Sequence, residues 1–388
     1  MTRQFAEKTA FVTGANGISG FAIIEHLIRQ PKSEWKKIIV TSRRPLFNAW
    51  LDPRVQFVAV DFLDPVETIV GKIEDICADV THAFFTSYVH SDDFKLLRDK
   101  NVPMFEHFMD AIDQSCPNLE RVSLQTGGKY YGVHLGPVKV PLEEHFPRYD
   151  DQGYNFYFKQ EDYLREVQSR RNTWSHNIIR PNAIIGYAPS ANGMSEVVTI
   201  VIYMLICREL GLPAVFPGNE NFWNSVDDNS YAPSLADLTV WAATAENTKD
   251  EAFNHTNGDV FVWKYIWNDF AHFLGLEVPE HQFEKPNGDT KKLANEIDMI
   301  EWAKDKREVW ERVVKRFGGK AEAFDWGTWG FFNWATGKNW PTISSVNKAR
   351  SFGWQRSDTT LNTWYETYQT FENAGILPAR TSMLATSS

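Results

Sequence analysis

Short apolar runs and segments with helical spacing alternate along the first half of the chain. The predicted strands, each four to six residues long, are 9–13, 37–41, 55–60, 82–86, 121–125 and 177–180. The predicted helices between them include 21–29, 66–77 and 104–116. Strands separated by such helices indicate βαβ units and a parallel sheet. The right-handed crossover rule then favours a Rossmann-like, doubly wound α/β fold.

The pattern changes after about residue 185, where helical segments dominate and tryptophan becomes frequent. Residues 197–212 predict a buried helix, 253–257 a late strand and 263–274 a further helix. We therefore predict a nucleotide-binding domain over residues 1–186 and a smaller, mainly helical substrate lobe over 187–388. Within that lobe, about residues 253–275 are expected to return to the sheet.

Three glycines, Gly14, Gly17 and Gly20, follow the first predicted strand in the segment TGANGISG. This spacing lets the backbone turn sharply and come close to a pyrophosphate, which then lies at the N-terminus of the next helix. Ile18 and Ser19 open that helix and are assigned to the same site. An unrelated glycine turn is the alternative, but the strand–turn–helix context favours a dinucleotide.

Two arginines, Arg43 and Arg44, follow the second predicted strand, where NAD-preferring sites place an acidic residue. Guanidinium groups bind a 2′-phosphate through charge-assisted, bidentate contacts, whereas a carboxylate would repel it. The position favours NADPH or NADP+ as the cofactor. The alternative is that both arginines are ordinary solvated surface residues.

Further cofactor contacts are predicted where the third, fourth and fifth strands end. Asp61 is suited to a hydrogen bond with the adenine amino group, although capping the next helix is an equally open role. Phe62 adjoins it, Thr86 and Ser87 end the fourth strand, and Gln125 ends the fifth. All lie at the carboxyl edge of the sheet, where doubly wound folds bind their ligands.

Most short-chain dehydrogenases carry Tyr-x-x-x-Lys on one helix, but none of the 13 tyrosines here has lysine at the fourth following position. A lysine occurs elsewhere, in QTGGKYYG, where Lys129 follows the fifth strand. Tyr157 opens a later predicted helix in NFYFKQED. We predict that these two residues form the catalytic pair. The alternatives are a surface lysine and a core aromatic residue.

The chain resembles, along most of its length, the progesterone 5β-reductase and iridoid synthase-like family of atypical extended short-chain dehydrogenases, and the resemblance rests on six ordered motifs. They are TGANGISG, TSRRP, Asp61 after the third strand, THAFFTSY, QTGGKYYG and NFYFKQED. The resemblance implies that Lys129 and Tyr157 are catalytic and that the backbone near Ile184 meets the nicotinamide amide. Three positions depart from the family pattern: Tyr88 replaces its usual tryptophan, Tyr130 a histidine and Phe158 a tyrosine.

The predicted chemistry is reduction of a small apolar carbonyl compound, and 1,4-reduction of a conjugated enone is favoured. The phenol of Tyr157 would stabilise the enolate oxygen, and a nearby ammonium from Lys129 would lower the phenol pKa from about 10 towards neutrality. Tyr88 is assigned to the substrate site. A 1,2-carbonyl reductase, an epimerase and a non-catalytic NADP(H)-binding protein remain alternatives.

The net charge of −10 argues against a nucleic-acid partner. No apolar run is long enough to span a membrane, and the early first strand leaves no room for a signal peptide, so we expect a cytoplasmic protein. Cys77, Cys116 and Cys207 have neither metal nor redox spacing and are expected to be buried thiols. No metal site is predicted, and a homodimer remains an open assembly.

Overall fold

The computed structural model describes residues 7–48, 50–91, 93–279, 282–283 and 293–384. Within these residues, the main sheet has seven strands, and every adjacent pair is parallel. Their order is β10 (Glu251–His255), β6 (Ser175–Pro181), β5 (Arg121–Gln125), β4 (His82–Phe85), β1 (Lys8–Val12), β2 (Trp35–Ser42) and β3 (Val55–Ala59). The order reverses beside β1, which is the topological switch point of a Rossmann fold. The predicted doubly wound α/β fold is confirmed.

The strands of the main sheet and of two small two-stranded sheets fall in both halves of the chain. They are β1 (Lys8–Val12), β2 (Trp35–Ser42), β3 (Val55–Ala59), β4 (His82–Phe85), β5 (Arg121–Gln125), β6 (Ser175–Pro181), β7 (Ile184–Ile185), β8 (Val226–Asp227), β9 (Ser230–Tyr231), β10 (Glu251–His255) and β11 (Phe261–Val262). Strands β7 and β9 pair in parallel, and β8 and β11 pair antiparallel.

The helices connect these strands and make up most of the C-terminal part. They are α1 (Ile18–Arg29), α2 (Val66–Cys77), α3 (Phe94–Ser115), α4 (Phe156–Arg171), α5 (Glu196–Glu209), α6 (Glu220–Trp223), α7 (Ala232–Thr244), α8 (Trp263–Phe273), α9 (Met299–Ala303), α10 (Arg307–Phe317), α11 (Trp329–Thr336), α12 (Asn347–Phe352), α13 (Thr360–Asn373) and α14 (Arg380–Leu384). A 3-10 helix, Gly128–Tyr131, directly follows the turn after β5.

Two hydrophobic cores cover the faces of the main sheet. Helices α1 and α7 pack on one face, and α2, α3 and α4 on the other. A third core surrounds α5, which is buried along almost its whole length, and takes in α8, α10 and α13. Of the segment 253–275, the strand β10 lies in the main sheet, whereas α8 packs in the third core. The division into two lobes at residue 187 stays a prediction.

Two features of the helices differ from the sequence prediction. Helix α3 begins at Phe94 rather than at residue 104, with Pro103 inside it. Proline usually marks a first turn, and Phe94 and Leu96 at the true start are exposed, so the apolar pattern pointed to a later beginning. Helix α7 was not predicted because it is buried on most sides and therefore lacks a polar stripe.

None of the described helices is both long and apolar enough to cross a membrane. The three cysteines are buried free thiols, as predicted.

Candidate active site

The glycine loop between β1 and α1 is shaped by close backbone contacts. Gly14 has φ +69°, a conformation that side chains rarely allow, and a Cβ on it would lie 3.1 Å from Thr86 Oγ1. A Cβ on Gly20 would lie 2.3 Å from the carbonyl oxygen of Gly14. These two glycines let α1 start directly against the ends of β1 and β4, so that the loop can approach a ligand closely.

The N-terminus of α1 is available to an anion. Its cap residue, Gly17, makes no side-chain capping hydrogen bond, and the first turn has no acidic residue. Gln125 Nε2 donates to Ser19 Oγ at 2.8 Å, while Gln125 Oε1 is buried without a hydrogen-bond partner among the described residues. Free N–H groups, a tight glycine loop and an unsatisfied amide oxygen together fit a dinucleotide pyrophosphate and its neighbouring ribose.

The loop after β2 is held next to the glycine loop by Asn16. Its Nδ2 donates to Ser42 Oγ and to the carbonyl oxygen of Pro45, both at 3.0 Å. Arg43 and Arg44 project from this loop and are exposed, and neither side chain has an ion pair or hydrogen bond within the described ranges. Both guanidinium groups can therefore bind an anionic ligand at the end of β2.

The residues predicted to contact the cofactor at the ends of β3 and β4 form local hydrogen bonds or pack in the core. Asp61 Oδ1 accepts from the backbone N–H of Leu63 at 3.0 Å, which shapes a turn and does not cap α2. The side chain of Phe62 is buried in the core on one face of the sheet, where its ring contacts Phe85 and Phe108. The N–H groups of Thr86 and Ser87 donate to Thr13 Oγ1 at 3.0 and 3.2 Å, which joins the ends of β1 and β4.

Lys129, Tyr157 and Tyr88 come together although they lie on three separate elements. Lys129 Nζ donates to Tyr88 Oη at 3.3 Å. The hydroxyl of Tyr157 lies 3.4 Å from the position that a Cβ on Gly127 would occupy, so it points at the turn leading to Lys129. Tyr157 is 9% exposed and Tyr88 41%, so the first phenol is buried and the second is partly open to solvent.

The pKa of Tyr157 moves in the direction opposite to the one expected from the sequence. Burial raises the pKa of Tyr157 well above its usual value of 10.0, and the nearby Tyr88 raises it further. The expectation that Lys129 lowers this pKa is wrong, because desolvation of the buried phenol dominates. Tyr157 is therefore a neutral hydrogen-bond donor near pH 7.

Sequence reasoning missed the residue that joins the two halves of this arrangement. Asn155 caps α4, where its Oδ1 accepts from the backbone N–H of Tyr157 at 3.1 Å. Its Nδ2 donates to the carbonyl oxygen of Lys129 and to Tyr149 Oη, both at 3.0 Å. An asparagine just before a helix is a recognisable cap signal, but its second contact depends on the tertiary fold.

The acidic residues of α4 have structural partners. Glu161, which is 1% exposed, pairs with the buried Arg180 at 2.9 Å, and the Arg180 guanidinium stacks on the ring of Tyr130 at 3.4 Å. This network packs against the 3-10 helix through Tyr130.

Ile184, the predicted nicotinamide neighbour, is buried in β7 and pairs with Ser230 of β9. In the part of the chain that the structure describes, no group of acidic, histidine or cysteine residues could hold a metal ion.

Comparison with known sequences identifies the family of this chain. The profile of the PRISE-like Rossmann-fold domain matches residues 10–378. A short chain dehydrogenase, gsfE, of Penicillium aethiopicum is 45% identical over 375 residues, covering 96% of this chain and 99% of the relative. The 3-oxo-Delta(4,5)-steroid 5-beta-reductase of Arabidopsis thaliana is 32% identical over 384 residues, covering 95% and 94%. The (S)-8-oxocitronellyl enol synthase ISY1 of Nepeta racemosa is 31% identical over 377 residues, covering 94% and 93%.

Solved structures also share the fold of this chain. The Bordetella bronchiseptica enzyme WbmH, solved with NAD+, superposes with a TM-score of 0.61 at 16% identity, covering 95% of this chain and 100% of that one. At this identity the likeness shows the fold alone. The family resemblance found in the ordered motifs is confirmed by the sequence matches.

Proposed function

The chain belongs to the PRISE-like Rossmann-fold family and is an oxidoreductase of the short-chain dehydrogenase type, and on this premise we propose an NADPH-dependent reduction of small apolar carbonyl compounds. The favoured reaction is 1,4-reduction of a conjugated enone. The observation that carries the proposal is the meeting of the buried Tyr157 phenol with Lys129 and Tyr88 at the carboxyl edge of the sheet, beside the glycine loop.

The residues that would hold the cofactor fall into two groups. The backbone of Gly14, Gly17 and Ser19 would bind the pyrophosphate, since the N-terminus of α1 is uncapped and its dipole attracts an anion. The exposed guanidinium groups of Arg43 and Arg44 would bind a 2′-phosphate, which supports NADPH over NADH. When bound, this cofactor supplies the hydride.

Tyr157 would act on the carbonyl oxygen of the substrate. Reduction of an enone at its β-carbon builds negative charge on that oxygen, and a phenol that keeps its proton stabilises the charge by donating a hydrogen bond. The raised pKa of Tyr157 supports this role, because the phenol is protonated across the physiological range. The ammonium of Lys129 adds positive charge at the same edge of the site.

The aromatic surroundings of Tyr88 and Tyr157 support an apolar substrate. The ring of Phe156 lies 6.0 Å from that of Tyr88 and 4.2 Å from that of Tyr157. Both relatives with a substrate in their names, the steroid reductase and the enol synthase, are named for small carbonyl or enol compounds. We also propose a cytoplasmic location, which follows from the sequence argument alone.

One assay tests the proposal. The protein is incubated with NADPH and either cyclohexenone or cyclohexanone, and separately with NADP+ and a UDP-sugar, and products are identified by NMR against authentic standards. Saturation of the enone C=C bond is the expected result. Alcohol formation from both ketones, without saturation, would replace the proposal with a 1,2-carbonyl reductase, and epimerisation of the sugar with an epimerase. NADPH binding without any turnover would indicate a non-catalytic binding protein.

Two variants test the residue assignments. Tyr157→Phe should lower kcat by roughly 100-fold or more, as loss of one oxyanion donor does in other enzymes, with unchanged NADPH affinity. Arg43→Ala/Arg44→Ala should weaken NADPH far more than NADH, because only NADPH carries the 2′-phosphate. Unchanged turnover in the first variant, or equal weakening of both cofactors in the second, contradicts the corresponding assignment.

A further inference from the structure

Tyr88 occupies a position from which it can act on the substrate and not only line the site. Its hydroxyl oxygen accepts a hydrogen bond from Lys129 Nζ at 3.3 Å. An ammonium group is a donor only, so in this contact the phenol oxygen must be the acceptor. The proton of the Tyr88 hydroxyl is then directed away from Lys129.

The two phenols, Tyr88 and Tyr157, share one aromatic neighbour. Phe156 packs against both, with ring centroids 6.0 Å from Tyr88 and 4.2 Å from Tyr157. Both hydroxyls also lie by the segment after β5: Tyr157 Oη is 3.4 Å from the position of a Cβ on Gly127, and Tyr88 Oη is 3.3 Å from Lys129 Nζ. Tyr88 also follows Thr86 and Ser87 directly, so it lies at the end of β4 where the glycine loop meets the sheet.

We propose that the Tyr88 hydroxyl is a second hydrogen-bond donor to the substrate carbonyl oxygen, beside Tyr157, and that Lys129 fixes its orientation. The proposal rests on the proposed reductase function and adds a residue to it. No proton is transferred in this role: the Tyr88 hydroxyl keeps its proton and stabilises negative charge on oxygen through a hydrogen bond. Two donors on one oxygen are the usual form of an oxyanion site.

Steady-state kinetics test this role with variants that remove one hydroxyl each. Tyr88→Phe keeps the ring that packs on Phe156, and Tyr265→Phe removes an exposed hydroxyl on α8 as the matched control. With cyclohexenone and NADPH, Tyr88→Phe should lower kcat by roughly 10- to 100-fold, with KM changed less than about threefold. The control should match the wild type. A Tyr88→Phe variant with unchanged kcat, or with a rise in KM alone, would overturn the proposal, because a simple wall residue behaves in that way.

A binding measurement separates the role of Tyr88 from the reductase function. The probe is p-dimethylaminocinnamaldehyde, an enal whose visible absorption moves to longer wavelength when its carbonyl oxygen accepts hydrogen bonds. It is added to protein saturated with NADP+, which cannot reduce it. We expect a red shift in the wild type and in Tyr265→Phe, and a smaller shift in Tyr88→Phe and in Tyr157→Phe.

The kinetic and the spectroscopic measurements distinguish failure of the reductase proposal from failure of the Tyr88 donor role. A wild type that does not reduce any enone, but shows the red shift and loses part of it in Tyr88→Phe, would sink the reductase proposal and leave Tyr88 as a carbonyl-binding donor. A wild type that reduces enones, with the same red shift in Tyr88→Phe as in the unaltered protein, would overturn the donor role. Absence of any shift in the wild type would also overturn it.

Discussion

The side-chain amide of Asn155 donates a hydrogen bond to the main-chain carbonyl oxygen of Lys129 at 3.0 Å. The oxygen of the same amide accepts from the backbone N–H of Tyr157 at 3.1 Å. One buried side chain therefore ties the 3-10 helix after β5 to the start of α4. Tyr149 Oη donates to the same Lys129 carbonyl oxygen at 3.4 Å.

We predict that Asn155 is a positioning residue. Its role as the cap of α4 can be separated from its role as a hydrogen-bond donor to Lys129. Asn155→Ala should cost about 1 kcal/mol of stability through loss of the helix cap, whereas Asn155→Ser keeps a capping oxygen and should retain most of it. Both variants lose the donor to Lys129 and should show a kcat lower by on the order of 10-fold, since small misplacements are costly in catalysis. Urea denaturation and steady-state kinetics measure the two effects.

A purely structural role would give a different pattern. Asn155→Ser would then keep both its stability and its kcat, and only Asn155→Ala would be impaired. NADPH affinity serves as the internal control, because the amide contacts neither the glycine loop nor the loop after β2, and it should be unchanged in both variants.

The strands and the glycine loop were predictable because they depend on local patterns. Residues 9–13 form an apolar run of strand length and residues 121–125 alternate polar with apolar side chains, and the observed strands agree to within a residue or two at each end. The edge of the sheet at which Lys129 would lie also followed from its place after the fifth strand. These inferences needed only the order of elements along the chain.

The electrostatics of the site were not predictable in the same way. The pKa of Tyr157 depends on how completely the fold removes its hydroxyl from water, and nearness to a cation was the weaker effect. The buried partner of Glu161 is Arg180, which lies 19 residues away on β6, and the more exposed Arg148 and Arg165 also pair with the Glu161 carboxylate. The buried pair is visible only after β6 has been placed against α4. Long-range contacts of this kind leave no periodic signal in the sequence.

Gly20 provides a prediction on the cofactor loop with a matched control. A Cβ at this position would lie 2.3 Å from the carbonyl oxygen of Gly14, so Gly20→Ala must displace α1 from the loop. We expect a loss of NADPH affinity of at least 10-fold together with lower stability, because the helix N-terminus moves from the pyrophosphate position. Isothermal titration calorimetry and thermal denaturation measure both.

The control is Gly71→Ala in the middle of α2, where an added Cβ would meet nothing within 4 Å. This change should raise stability by about 0.5–1 kcal/mol, because alanine favours helix and loses less entropy on folding. NADPH affinity should stay the same. Normal affinity in Gly20→Ala would show that α1 can shift without cost to the site.

The buried ion pair of Glu161 with Arg180 should be far more important to stability than its exposed neighbour. Glu161→Gln leaves the charge of Arg180 in a site where its side chain is only 3% exposed, which should cost about 3–5 kcal/mol. Asp162→Asn removes a pair with Arg148 in which the acid is 57% exposed, and it should cost less than about 1 kcal/mol. Equal losses of unfolding free energy in the two variants would contradict the assignment of Arg180 as a fully desolvated cation.

Glu196 at the start of α5 should make the protein less stable as pH rises. Its side chain is buried beside Asp227 and Lys338, and burial, with the charge of Asp227, raises the pKa of Glu196 from 4.5 to about 8. Between these two values the native state holds a proton that the unfolded chain has lost, so the free energy of unfolding falls by up to about 1.4 kcal/mol per pH unit from this group.

Glu196→Gln removes the titration, and its unfolding free energy should fall less steeply than that of the wild type between roughly pH 5.5 and 7.5. The exposed Glu311→Gln on α10 is the control and should keep the wild-type slope. If the unfolding free energies of wild type and Glu196→Gln change with pH by the same slope, Glu196 is ionised in the native protein. The charge of Lys338 would then outweigh the cost of burial.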